Sequence, residues 1–168
     1  ILQHIYQMNR TLLKFWSNKN ILFSSISHTW LQHCNGNIAR IGITSRGLEE
    51  IGSIDYITSF VKPGDSIMPN IPFIEIGWTA YRISTADELY HTTWENIEGS
   101  YTIKGPVFCT LRTLHHDALL NPEDICNKTW LVEIELNEEE SLPSLLDRKS
   151  YNEHISEISR GLFAEELT

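Results

Sequence analysis

The apolar positions of this chain follow two periods. Over residues 1–20, Ile1, Ile5, Met8, Leu12, Phe15 and Trp16 recur at helical steps and predict one apolar helix face. From Thr29 onward the spacing drops toward two. Thr29–His33 and Ile38–Thr44 flank Asn35-Gly36, a hairpin signal because both residues tolerate positive φ at low cost. In the return strand the Ile38, Arg40, Gly42, Thr44 and Ala39, Ile41, Ile43 sets alternate between two faces. Ser45 can cap a helical turn carrying Leu48 and Ile51, and Gly52 stops it. Ile54–Phe60 then returns as a strand, Val61–Asp65 is a Pro-Gly turn, and Ile71–Ile83 reads as one long strand. In that strand Ile74, Ile76, Trp78 and Ala80 form the more apolar row.

The next stretch, Ser84–Gly99, mixes Asp87, Glu88, Glu95 and Glu98 with Leu89, Tyr90, Trp94 and Ile97. A helix capped by Ser84 or Thr85 would carry Tyr90, Trp94 and Ile97 on one face. Tyr101–Leu114 is strand-like again. Thr129–Leu136 is the last strand, with Trp130, Val132, Ile134 and Leu136 on one side. Glu138, Glu139 and Glu140 open an acidic helix start followed by Leu142, Leu145 and Leu146, which Asp147 ends or restarts. Tyr151, Ile155, Ile158 and Leu162 predict a second amphipathic helix over 148–163.

Four short motifs in order carry a family resemblance: His28-Thr29-Trp30, Asn35-Gly36, Gly42-Ile43-Thr44 and Ile51-Gly52-Ser53-Ile54. Leu119–Ile125 and the Trp130-Leu131 strand add to it further along. Together they resemble the glycine cleavage system H protein, a lipoyl-carrier domain, over about residues 27 to 155. The resemblance implies a mainly β fold: a flattened lipoyl/biotinyl-type barrel-sandwich hybrid with N-terminal and C-terminal amphipathic helices. It divides the chain into a basic extension (1–26), the barrel (27–136) with an insertion at 84–99, and a helical tail (137–168). In the family, a lysine at the tip of a hairpin carries lipoic acid in amide linkage, so that a dithiolane arm swings between enzymes. Here, counting back from Lys104-Gly105-Pro106-Val107 puts that position at Glu98, and counting forward from Phe73 puts it at Ala80. Neither is an amine, and no lysine lies between Lys62 and Lys104. The resemblance therefore implies the fold, while the residues deny it lipoylation: no cofactor is expected.

Charge sharpens this picture. Residues 1–48 hold Arg10, Lys14, Lys19, Arg40 and Arg46 and no acid, whereas all 22 Asp and Glu follow. An acid-free, basic, amphipathic front end is what a mitochondrial transit peptide looks like; the other readings are a helix that docks on a partner and one packed on its own domain. A net charge of −9 makes the body a poor nucleic-acid binder, so nucleic acid is a partner only through the front segment. No apolar run approaches the roughly 18 residues of a membrane span.

Little else in the chain points to chemistry. Cys34, Cys109 and Cys126 are far apart and odd in number, which argues against a disulfide framework. Cys109 with His115-His116 is a conceivable chelating set, but no zinc spacing is present. His115-His116-Asp117 contains a base and a carboxylate, yet adjacent residues point apart and no nucleophile is placed. The expectation is a non-catalytic protein, not an enzyme, with no metal. It would be an accessory structural subunit of a larger mitochondrial, matrix-side assembly, a respiratory complex or the mitochondrial ribosome. Its interface would use Tyr90, Trp94 and Ile97 with Ile5, Met8, Leu12, Phe15 and Trp16. The alternatives are a regulatory decoy for lipoate ligase or glycine-cleavage enzymes, and a working lipoyl carrier.

Overall fold

A computed structural model describes residues 21–84, 93–137 and 145–166. The predicted helix over 1–20 and the acidic start at 138–140 lie outside them. Nine strands form two antiparallel sheets among the described residues. The first holds β1 (Ile21–Ser24), β2 (Thr29–Asn35), β3 (Ile38–Ile43), β5 (Ser66–Ile67), β8 (Cys109–Leu114) and β9 (Trp130–Leu136), in the order β1-β2-β3-β9-β8-β5. The second is β4 (Ser53–Ser59), β6 (Pro72–Ser84) and β7 (Thr93–Lys104), in the order β4-β6-β7. Among the described residues three α-helices, α1 (Ser45–Glu49), α2 (His116–Leu120) and α3 (Arg148–Glu166), and a 3-10 turn at Pro122–Asp124 join them. The mainly β architecture of two antiparallel sheets with a C-terminal helix matches the expectation, although the ladders do not close into a barrel. Ile21–Ser24 pairs with Gln32–Thr29, so the first sheet begins inside the stretch assigned to an extension.

Alternation explains the core. Leu22, Leu31, Ile41 and Val132 stand opposite one another across four strands, and Ala39, Ile134 and Leu111 form the next row. These meet Ile74, Ile76 and Ile103 of the second sheet in one fully buried cluster. A register shift between Pro72 and Ile74 turns Phe73 inward as well, so both neighbours are buried despite being adjacent. The β2–β3 turn is centred one residue later than the sequence indicates: Asn35 pairs with Ile38, and Gly36 takes φ 57°. Thr44, not Ser45, caps α1, accepting from Gly47 N at 3.1 Å.

The outer face of the first sheet carries a second row. Phe23, Trp30, Gly42 and Trp130 lie opposite one another on β1, β2, β3 and β9. A side chain at Gly42 would overlap the Trp30 ring and the Thr129 carbonyl, so the glycine lets the indole lie flat on the sheet. Onto this row α3 docks. Tyr151 stacks on Phe23 with ring centroids 4.8 Å apart and planes 11° apart, and Ile155 and Leu146 complete the contact. Asp147, expected to end or restart a helix, accepts from Ser150 N at 2.8 Å and so caps α3. Leu146 and Phe23 exchange backbone hydrogen bonds at 2.7 and 2.8 Å.

A buried polar clasp fixes this docking. The Tyr151 hydroxyl lies 2.8 Å from His28 Nδ1 and 2.9 Å from Thr44 Oγ1. His28 holds a left-handed backbone (φ 48°), a conformation that histidine adopts at some cost. Its carbonyl accepts from Thr44 N at 2.9 Å, which helps to hold it there. Burial pushes the His28 imidazole below its ordinary value, against the pull of Glu50; Arg46 and His154 push the same way as burial.

Two outcomes follow from this packing. Gly42→Ala should lower stability by about 2–3 kcal/mol in urea melts, because both the buried ring and a backbone carbonyl must move. Gly77→Ala should cost less, since the three atoms nearest a Cβ there all belong to the ring of Tyr56, which is half exposed. Second, an unfolded His28 takes up a proton near pH 6.5 that the folded one resists, so folding stability falls as pH drops below 6.5 toward the folded pKa. Urea midpoints at pH 7.5 and 5.5 should show a smaller drop in His28→Asn, which keeps a residue tolerant of the left-handed backbone.

Candidate functional site

The β6–β7 hairpin spans the stretch in which the sequence resemblance would place the lipoyl group. β6 runs thirteen residues and β7 twelve, paired without a break from Ile74↔Ile103 to Ser84↔Thr93. β4 covers β6 only from Ile74 to Thr79. Beyond Thr79 the hairpin continues as a two-stranded arm for five more residues of β6, roughly 16 Å at the usual rise of a strand.

Glu98 pairs with Thr79 and Ala80 with Ile97, so both positions sit within the ladder and neither is at the tip. The tip segment, residues 85–92, lies outside the described residues; its sequence, TADELYHT, contains no amine. Lys104 is half-buried at the base of the hairpin opposite Pro72, and its backbone N–H donates to Ser27 Oγ at 2.9 Å. At about 3.3 Å per residue it stands on the order of 35 Å from the far end of β7.

The helix expected to begin at Ser84 and reach Ile97 is not formed over Thr93–Gly99, which is strand. Threonine and tryptophan suit a pleated ribbon, and the long partner strand supplies hydrogen bonds that a lone helical turn would lack. In a strand, Trp94 and Ile97 point to opposite faces. Ile97 is half-buried beside Ala80 on the core side; Trp94 is 66% exposed on the outer side. The predicted trio is thus broken, and Tyr90 lies outside the described residues, as do Ile5, Met8, Leu12, Phe15 and Trp16.

The outer face has a different aromatic set. Tyr81, 68% exposed, is on the same face as Trp94, one diagonal step away across the ladder. Tyr56 of β4, on that face too, is half exposed over Gly77. The signal for Tyr81 was present in the alternation of β6, which already set it opposite to Ile74 and Ile76. The opposite face of the arm carries Arg82 and Glu95, joined at 3.0 Å. Trp78 lies there over Gly99, a second flat aromatic-on-glycine pair.

The other candidates are structural. Cys109 sits at the start of β8 in the core, and burial pushes its thiol up to about 12. His115 follows the opposite end of that strand; it stacks on Trp130 at 4.2 Å and its Nδ1 bonds the Trp130 carbonyl at 2.7 Å. His116 and Asp117 are exposed on α2. No group of metal-binding side chains occurs among the described residues. None of their helices is long and apolar enough to cross a membrane.

No family model matches the chain. Among solved structures it is similar to the crystal structure of a glycine cleavage system H protein from Mycobacterium marinum, at 16% sequence identity and a TM-score of 0.57. The match covers 82% of this chain and 98% of that one. This likeness is one of fold.

The exposed aromatics should be dispensable for folding. Tyr81→Ala with Trp94→Ala should leave the urea midpoint within about 0.5 kcal/mol of the parent, as for surface positions generally. Trp78→Ala should cost clearly more, because the half-buried indole covers Gly99 across the ladder.

Proposed function

We propose that this protein is a non-catalytic, H-protein-like scaffold that has lost its prosthetic group and serves as an accessory subunit of a larger mitochondrial assembly. One observation carries the reading. The hairpin that would present a lipoyl-lysine has no amine in its tip sequence, and its projecting part exposes Tyr81 and Trp94 instead. Lipoyl attachment needs a primary amine at an accessible turn, which a carboxylate such as Glu98 cannot replace. Large aromatic side chains are the residues that anchor protein interfaces, because each buries much area at little conformational cost. A two-stranded arm is marginal in water by itself, so a partner packed on it would stabilise it.

The mitochondrial, matrix-side placement rests on the acid-free, basic, amphipathic pattern of residues 1–20 in the sequence. The partners in this reading are protein subunits, because a net charge of −9 repels phosphate.

Two measurements test the proposal together. Intact-mass analysis of protein made with an active lipoate ligase should find no lipoyl adduct; an adduct on Lys104 or any other residue would overturn it. Affinity purification of the tagged protein from mitochondria should recover a fixed set of respiratory or ribosomal subunits, and Tyr81→Ala/Trp94→Ala should lose them. Recovery of lipoate ligase or glycine-cleavage enzymes instead would replace the scaffold with the decoy.

A further inference from the structure

On the opposite sheet from the hairpin, α3 does not lie flush on the strands beneath it. Between them is a cleft of about 530 Å³, within the range of about 300–1,000 Å³ usual for small-molecule sites. Its floor is the outer-face row, Phe23 and Trp30, and Ile155 of α3 forms an apolar wall. Three cations line it from three separate elements: Arg46 of α1, Lys128 of the loop before β9, and Arg148 at the start of α3. Among the described residues no Asp or Glu lines it. In a chain with 22 acidic and 13 basic residues, three cations around one apolar hollow are a local reversal of charge.

The site is built rather than incidental. Trp30 Nε1 donates to the Asn127 carbonyl at 2.9 Å, and Asn127 Nδ2 donates to Ser45 Oγ at 2.9 Å. These bonds pin the Lys128 loop to both the floor and α1. Arg148 stands over the Phe23 ring, 5.2 Å from its centroid, which orients its guanidinium. Arg46 leans on Glu49 and Glu50 at 3.8 and 3.7 Å, but its Nε is buried with no acceptor, so its donors are incompletely used. Asp147 caps α3 through Ser150 N. The α3 N-terminus adds its own positive end to the same mouth.

We infer that this cleft binds a small amphipathic organic anion: a carboxylate, sulfonate or phosphate on an aromatic or aliphatic body. The cations hold the acid group, with arginine suited to planar bidentate pairing, and the Phe23–Trp30–Ile155 surface takes the apolar part. Burial of both parts in one hollow separates this from the weak attraction of any surface lysine for any anion.

The test uses the full chain and a fluorescent probe, 8-anilinonaphthalene-1-sulfonate, beside its uncharged relative N-phenyl-1-naphthylamine. The sulfonate should bind saturably at one site, and the neutral compound at least tenfold more weakly. Lys128→Gln/Arg148→Gln, both exposed positions, should weaken the sulfonate at least tenfold, whereas Lys62→Gln/Arg160→Gln, two cations away from the cleft, should leave it unchanged. Asn152→Trp, which fills the mouth without altering charge, should abolish binding; far-ultraviolet circular dichroism and urea melts check that each variant is folded. Unchanged affinity in the cleft variants, equal binding of the neutral compound, or no saturable binding would each overturn the inference. Because the cleft and the hairpin arm are on different sheets, Tyr81→Ala/Trp94→Ala should not affect this readout.

Discussion

Trp30 can lie flat on the first sheet only because position 42 has no side chain. That single allowance organises one side of the molecule. With the indole pressed onto Gly42, the row Phe23–Trp30–Gly42–Trp130 becomes a low apolar shelf instead of a ridge. The shelf accepts the Tyr151 ring, the ring brings α3 to the sheet, and the Tyr151 hydroxyl reaches the His28–Thr44 clasp. Burying a side chain of this size contributes roughly 2 kcal/mol. The clasp adds direction: it admits one position of the helix, because the hydroxyl must meet two partners at once. Thr44 serves that clasp and caps α1 with the same oxygen, so the helix dock and the α1 turn share an atom.

The same device, an aromatic ring laid over the glycine directly across the ladder, recurs on the second sheet. Tyr56 covers Gly77, and Trp78 covers Gly99 on the other face. These pairs stiffen a ribbon that would otherwise be weak where glycine interrupts a strand. Both sit where β4 still covers β6, at the root of the arm. The molecule thus has two working surfaces of opposite character. One is an exposed aromatic arm with its charges paired on the back, and the other is a recessed, cation-lined cleft under a helix. Neither depends on the chemistry of a prosthetic group.

A long arm and a small anion cleft make different physical demands, and the fold meets them separately. The arm needs reach, which continuous strand pairing supplies at little cost in core volume. The cleft needs preorganisation, which comes from bonds that tie a loop, a helix turn and a helix start to one aromatic floor. The acidic body favours both uses in one respect. It discourages nonspecific adhesion to phosphate polymers, and it sets the three cleft cations apart from their surroundings.

Much of the fold was legible in residue order. Period-two alternation in Ile38–Thr44 and Ile74–Ala80 told which faces would be buried, because a strand has only two faces and one must be dry; register shifts overturned it at two strand ends, where Phe73 joins Ile74 in the core and Trp130 parts from Val132, Ile134 and Leu136 to lie on the outer face. Asn35-Gly36 marked the hairpin to within one residue, and the Tyr151, Ile155, Ile158 spacing marked α3 and its packed face. The missing amine was legible too, since no folding can create a lysine. What alternation could not convey was distance along the chain: two counts from opposite ends put the attachment position at Ala80 and Glu98, because each assumed a short hairpin. Nor could local pattern decide between helix and strand over Thr93–Gly99, where spacing fits a helix but a thirteen-residue partner strand supplies the hydrogen bonds. The cleft was invisible for a related reason. Arg46, Lys128 and Arg148 are ordinary surface cations in the sequence, and only the pairing of Phe23, Trp30 and Gly42 across three strands, with a helix laid over them, brings the three around one hollow.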